Sequence, residues 1–118
     1  MKITKHFFPL IIAVLLTLTI NACKDCDDED PRAKIINNGA QKASVQIKTS
    51  GGNTVNINNV DPGTASPNAS YASGIVMFTI KVNNIDYSTI VEMYNCHDYE
   101  IAIDANNVIT TKSVDRND

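Results

Sequence analysis

Aromatic residues are scarce in this 118-residue chain, and the scarcity limits any hydrophobic core. There is no tryptophan, and two of the three phenylalanines, Phe7 and Phe8, lie in the first ten residues. Only Phe78 is left for the rest of the chain. A domain of about 80 residues buries little more than about 60% of its unfolded surface. We therefore expect modest stability, to which a covalent staple would add substantially.

Histidine and basic charge are scarce too, and this argues against several classes of function. The two histidines are His6, in the N-terminal apolar region, and His97. A metal site built on paired histidines is therefore not expected, and we predict no metal and no cofactor. From Arg32 onward there are seven basic and eight acidic residues, a net charge of −1. A nucleic-acid-binding face would need a basic surplus, so no nucleic-acid partner is predicted.

The longest apolar run covers residues 7–20 and follows Lys2 and Lys5. A short charged stretch followed by a short apolar stretch is typical of an export signal. Fourteen residues of helix rise only about 21 Å, which is less than the ~30 Å hydrocarbon core of a bilayer. The run therefore predicts a temporary signal peptide rather than a stable membrane-spanning helix.

The residues that end this run, Ile20-Asn21-Ala22-Cys23, resemble the lipobox of bacterial lipoproteins. The resemblance implies a signal peptide over 1–22, cleavage before Cys23, a diacylglycerol on its thiol and usually an acyl chain on the new amino group. Two or more chains are what firm anchoring requires. Ile20 and Asn21 depart from the commonest residues at their positions, and the alternatives for Cys23 are a buried thiol or a disulfide with Cys26. The lipobox implies a lipid anchor, which we expect in the outer membrane.

Five acids lie within residues 25–30, and such a block repels itself. It predicts a disordered acidic tether over residues 23–32. Acids directly after a lipidated cysteine also resemble a surface-export signal of some Gram-negative lipoproteins, which implies exposure at the cell surface. A plain soluble spacer is the alternative. A calcium loop starting at Asp25 is not expected, because Asp30 and Ile36 stand where glycine and glutamate are needed.

Residues 33–113 predict one all-β domain, an antiparallel sandwich of about seven strands. Valine, isoleucine, threonine and asparagine are frequent, no long helical periodicity is present, and turn residues recur every 8–12 positions. The expected strands cover residues 33–37, 43–48, 54–58, 75–82, 85–93, 99–104 and 108–113, with 64–74 as a loop or bent edge strand and 114–118 as a polar tail. The pattern resembles small immunoglobulin-like or transthyretin-like modules of secreted bacterial proteins.

Alternation within these strands predicts which residues face the core. Val76, Phe78, Ile80 and Val82 should face inward, as should Val55 and Ile57. Asn83-Asn84 has the composition of a two-residue type I′ turn, in which both residues need a positive φ. The hairpin around this turn is expected to form the centre of the fold.

Cys26 and Cys96 are the two cysteines that remain if Cys23 is lipidated, and an exported protein is in an oxidising compartment. A disulfide between them would close a loop of 71 residues and stabilise the fold by about 4 kcal/mol. It would also fasten the tether to the turn after the central hairpin. Free thiols or an intermolecular pair are the alternatives.

Cys96-His97-Asp98 contains the residue types of a nucleophile, a base and an orienting acid. Three consecutive side chains splay apart, however, whereas catalytic triads join residues that are distant in sequence. A polar turn with a disulfide cysteine is the favoured interpretation. A Cys/His envelope enzyme is therefore only a minor alternative.

The four tyrosines could provide aromatic contacts with a partner. Tyr87 and Tyr99 are expected to be half-buried, whereas Tyr71 and Tyr94, in loops, and His97 are the better candidates for binding. The predicted function is a non-enzymatic binding module for an envelope protein or glycan. The alternative is a structural or accessory subunit of an envelope complex that uses edge-strand pairing. The oligomeric state stays open.

Overall fold

The computed structural model describes residues 26–117, which form a sandwich of two β-sheets. This confirms the predicted fold class. No helix long and apolar enough to cross a membrane occurs between residues 26 and 117. The strands are β1 (Arg32–Asn38), β2 (Ala43–Lys48), β3 (Thr54–Val60), β4 (Thr64–Ala65), β5 (Ala69–Ser70), β6 (Gly74–Val82), β7 (Ile85–Met93), β8 (His97–Asp104) and β9 (Ile109–Asp115).

The two sheets have the strand orders β4-β1-β8-β9 and β3-β2-β6-β7, and β5 pairs with the same edge of β1 as β4. The seven longer strands correspond to the seven that the sequence predicts, and β4 and β5 occupy the segment predicted as a loop or bent edge strand. One pair differs from the antiparallel expectation: β1 and β8 are parallel, with Arg32 opposite Asp98. These two residues are 66 positions apart, so no local pattern indicates the pairing.

The β6–β7 hairpin forms as predicted, but the expectation that it lies at the centre of the fold is wrong, because β7 is an edge strand of the second sheet. Asn83 and Asn84 have φ values of 53° and 63°, the left-handed conformation that a type I′ turn requires. Val76, Phe78, Ile80 and Val82 are all buried. The turn residues and the alternation of buried and exposed residues both predict the same pairing of β6 with β7. The register of this pair is therefore specified by residues close together in the chain.

The core lies between the two sheets and consists mainly of aliphatic side chains with Phe78 near its centre. The prediction that Val55 faces inward is wrong, since it is exposed, whereas Ile57 packs partly against the core. Val55 belongs to β3, an edge strand that pairs with β2 alone among the strands of residues 26–117. In the described part of the chain, the corresponding edge of the other sheet is formed by the two-residue strands β4 and β5, which can cover little of Val55.

The strand directions give the sandwich two distinct ends. We call the end where β1, β3, β6 and β8 begin the N-terminal end, because residues 26–31 lie there. The opposite end, where these strands finish, is the distal end. Its connections are residues 39–42, 61–63, 83–84 and 105–108.

Residues 26–31 differ from the disordered tether expected there. The carbonyl oxygen of Glu29 accepts a hydrogen bond from the N–H of Cys96 (2.8 Å), and that of Pro31 accepts one from the N–H of Tyr71 (3.0 Å). Pro31 is also fully buried. Because specific partners from other parts of the chain offset the local charge repulsion, these six residues are ordered. Cys23 and the signal peptide lie outside the described residues.

The predicted polar tail differs as well. Strand β9 continues to Asp115, and the side chain of Arg116 is only 13% exposed. The N–H of Arg116 donates to the carbonyl oxygen of Cys96 (2.8 Å), which carries the end of the chain back onto the N-terminal end.

Candidate functional site

A covalent bond joins the first described residue to the turn after β7. Cys26 and Cys96 form a disulfide with Cα atoms 5.7 Å apart, inside the range that disulfides usually span. Cys96 has a φ of 61°, which helps to turn the chain tightly between β7 and β8. The predicted pairing is confirmed, and it fastens the N-terminal segment directly to the body of the domain.

An ionic cluster surrounds this bond. Arg32 binds Asp98 through two hydrogen bonds (2.8 and 2.9 Å), and the Nε of Arg116 lies 3.3 Å from the same carboxylate. Arg116 also donates to the Glu29 carboxylate (2.7 Å) and the Asp30 carbonyl oxygen (2.6 Å). We call the disulfide and this cluster the N-terminal clasp. Because Glu29 is largely exposed, its ion pair with Arg116 contributes little to stability. The disulfide is therefore the strongest element of the clasp.

The structure does not assemble a catalytic group from Cys96, His97 and Asp98. The sulfur of Cys96 is bonded to Cys26, and the carboxylate of Asp98 is bound by Arg32. The Nδ1 of His97 lies 2.9 Å from the carbonyl oxygen of Asn95. The three neighbours thus have separate partners. Within residues 26–117, no group of three or more His, Cys, Asp or Glu side chains is placed to hold a metal ion.

The tyrosines that are buried and those that are exposed differ from the prediction. Tyr71 is only 7% exposed and belongs to the core, and burial raises the pKa of its phenol. The expectation that Tyr71 contacts a partner from a loop therefore needs correction, because β5 pairs with β1 and brings this residue to the core. Tyr99 is buried too, and its hydroxyl accepts a hydrogen bond from the N–H of Tyr94 (2.9 Å).

Tyr94 is exposed, and His97 is half-buried beside it, with ring centroids 6.0 Å apart. A hydrogen bond to Glu92, followed by the charge of that carboxylate, raises the pKa of Tyr94. Of the three predicted binding residues, only these two remain accessible. Both lie at the N-terminal end, next to the clasp.

The distal end carries a small concavity, lined by both polar and apolar residues, that sequence reasoning missed. Its volume is about 110 Å³, and its lining comes from the β1–β2 connection, the β6–β7 turn and the β8–β9 connection. The polar residues of the lining include Gln41, Asn83, Asp104 and Asn107. The side-chain amides can donate to and accept from hydroxyl or amide groups of a ligand, and the carboxylate can accept from them.

Asn37 holds one wall of this concavity in place. It is buried, and its Nδ2 donates to the carbonyl oxygens of Gln41 (2.7 Å) and Val60 (2.8 Å). Its Oδ1 accepts a hydrogen bond from the N–H of Gly39 (2.9 Å). The sequence did contain a signal for Asn37, because alternate residues of a strand share a face and Asn37 follows Ala33 and Ile35 on the inward face of β1. A polar residue at such a position must find partners inside the fold.

Replacing Asn37 by alanine should lower the free energy of unfolding by about 2–3 kcal/mol, because three backbone groups would lose their partner. Urea unfolding of the full chain measures this change. Asn38→Ala is the matched control, since Asn38 is exposed and should change stability by less than about 0.5 kcal/mol. Equal effects of the two substitutions would contradict the structural role of Asn37.

Comparison with known proteins does not assign the chain to a family. No protein-family model matches the chain, and no curated protein matches its sequence. The described geometry is therefore the basis for assigning a function.

Proposed function

We propose that this protein is a non-enzymatic lipoprotein of the bacterial envelope that binds a protein or glycan partner through its distal end. The observation that carries the proposal is the placement of the N-terminal clasp and the distal concavity at opposite ends of the sandwich. The lipobox-like Cys23 supplies the proposed anchor, and the clasp lies three residues after it.

The disulfide shortens the proposed tether. Because Cys26 is bonded to the body of the domain, only residues 23–26 remain to span the gap between lipid and domain. Three peptide units reach at most about 11 Å. The N-terminal end would therefore lie close to the membrane surface rather than being held off by the whole acidic segment.

The distal end then points away from the membrane. Strand β6 has nine residues, so the distal connections lie about 30 Å beyond the N-terminal end. Loops on a rigid sheet scaffold are the usual carriers of binding function in sandwiches. Partners in the surrounding medium would reach the concavity first, whereas Tyr94 and His97 would face the membrane side.

Site-specific photo-crosslinking in intact cells tests this orientation. A photoreactive amino acid replaces Ala105, an exposed residue that lines the concavity, and we expect a discrete adduct with one partner. The matched control position is Asn53, an exposed residue in the β2–β3 turn at the N-terminal end, which should not give this adduct.

Identical adducts from both positions, or recovery of abundant bystander proteins alone, would contradict binding through the distal end. For a glycan partner, the same variant should label carbohydrate that a glycosidase digest then releases. The absence of both protein and carbohydrate adducts at Ala105 would count against the proposal as a whole.

A further inference from the structure

Strand β7 is the least protected of the sheet edges formed by residues 26–117. Sheets usually guard their edges with short strands, proline or charged side chains, especially lysine. Strands β4 and β5 have two residues each with Pro67 between them, and β9 carries Lys112 in its middle. Strand β3 has no charged residue, but its pairing with β2 contains a bulge opposite Ala43–Val45, which is another way in which sheets guard an edge. In contrast, β7 has nine residues, and its central segment 87–91 contains no charge, proline or glycine.

The backbone of β7 can accept another strand. Val82 and Ile85 flank the two-residue turn and form a hydrogen-bonded pair. Along an antiparallel ladder, hydrogen-bonded pairs alternate with pairs whose N–H and C=O groups point away from the partner strand. Asp86, Ser88, Ile90 and Glu92 therefore direct their N–H and C=O groups away from β6. Of these groups, the carbonyl oxygen of Glu92 already accepts a hydrogen bond from the Tyr99 hydroxyl (3.5 Å). No strand of the described chain pairs with this side of β7.

The side chains beside this edge define what an added strand should offer. Ile90 is 66% exposed and lies opposite Met77, which is 36% exposed, and Ile75 extends the same apolar strip. Burying Ile90 and Met77 would favour an apolar residue in the added strand. The acids Asp86 and Glu92 lie at the two ends of this face of β7.

The two acids differ in their partners. Lys81 lies 4.0 Å from Asp86, whereas Glu92 has no cation within ion-pair distance among residues 26–117. An added strand with a lysine or arginine beside Glu92 would supply the missing charge. Opposite charges across paired strands stabilise the pair, and like charges destabilise it.

A second copy of β7 does not meet this requirement. The strand contains no lysine or arginine, so no register of self-pairing places a cation opposite Glu92. Antiparallel pairing centred on Thr89 would place Asp86 of one copy opposite Glu92 of the other. The charge pattern therefore favours a different chain as the occupant.

We propose that the β7 edge binds an extended segment of another protein, with an apolar β-branched residue beside Ile90 and a basic residue beside Glu92. Main-chain hydrogen bonds to Asp86, Ser88 and Ile90 and to the N–H of Glu92 hold the segment, and these side-chain contacts select it. This site lies along the side of the sandwich. It is separate from the concavity at the distal end and goes beyond the function proposed for that end.

An end-capped heptapeptide, Arg-Thr-Val-Thr-Val-Thr-Arg, is a suitable probe, because its alternate residues place Arg, Val, Val and Arg opposite Glu92, Ile90, Ser88 and Asp86. Titration into the full-length protein should shift the backbone amide resonances of these four residues. The same peptide with glutamate at both arginine positions should bind about tenfold more weakly.

Ser88→Pro tests the main-chain contacts, because it removes an N–H that faces away from β6, and proline is tolerated at such positions of edge strands. It should weaken binding about tenfold, whereas the control Ser88→Ala, which keeps the N–H, should leave affinity within about threefold. Glu92→Gln should reduce the preference for arginine over glutamate. Should Ser88→Pro fail to fold, Ile90→Lys provides a second blocking variant.

Three results would overturn this inference. They are equal binding to Ser88→Pro and to the unsubstituted protein, equal binding of the arginine and glutamate peptides, and a concentration-dependent dimer that Ser88→Pro abolishes. The last would identify a second copy as the occupant. Because the peptide reports on β7 alone, its failure would leave the distal-end proposal to be decided by crosslinking.

Discussion

Removing the Cys26–Cys96 disulfide is expected to lower the free energy of unfolding by about 4 kcal/mol. The bond joins residues separated by 70 positions, so its loss frees a long loop in the unfolded chain. In the folded state residues 26–31 would keep the buried Pro31, a few hydrogen bonds and an ion pair of the exposed Glu29, and such ion pairs contribute little individually. Since small domains are stable by only about 5–15 kcal/mol, this is a large fraction of the total.

Urea unfolding of the full chain with and without reductant measures this change, alongside Cys96→Ser. Reductant should destabilise the unsubstituted protein but leave Cys96→Ser unaffected, because that variant has no such bond to lose. Thiol alkylation should add labels at Cys26 and Cys96 only after reduction. Equal unfolding midpoints in both conditions would contradict a stabilising role for the disulfide.

Phe78→Ala is expected to destabilise the protein by about 3–5 kcal/mol. Phe78 is fully buried, lies in the middle of β6 and is the only phenylalanine outside the first ten residues. Its removal leaves a cavity between two sheets that are held apart by the surrounding side chains, so the core cannot collapse to fill it. Apart from the disulfide, we expect no comparably large loss from a single substitution.

Met77→Ala is the matched control, because Met77 is the neighbouring residue on β6 and faces the outside of the same sheet. It should cost no more than about 1 kcal/mol. Comparing the urea midpoints of the two variants separates core packing from a general sensitivity of β6. A Met77→Ala effect as large as that of Phe78→Ala would show that the inward and outward faces have been assigned incorrectly.

Much of the fold could be predicted because its information is local. Strands β2 and β7 have the bounds that alternation predicts, and Asn83-Asn84 forms the expected turn. Both signals act between residues close together in the chain. The wrong predictions concern the edges of the sheets and the ends of the described chain. Val55 is an example, because its exposure depends on how little of β3 the facing sheet covers.

The candidate sites were less predictable. Tyr71 follows a loop-like sequence, yet it is buried once β5 pairs with β1. The distal concavity arises where three separate connections meet, and none of them carries a recognisable ligand-binding motif. Of the residues that line the concavity, Asn37 was the one that the alternation of β1 could have indicated, because it is a polar residue at an inward-facing position.

The sequence by itself determined the all-β class, the approximate positions of the seven longer strands and the β6–β7 hairpin, because periodicity and turn chemistry operate over a few residues. Only the tertiary structure decided that β1 lies beside β8 and that Arg116 reaches Glu29, 87 positions away. It also ordered residues 26–31, which their charge alone predicts to be disordered. The packing of the two sheets brings these distant groups together, and no short segment of the chain contains that information.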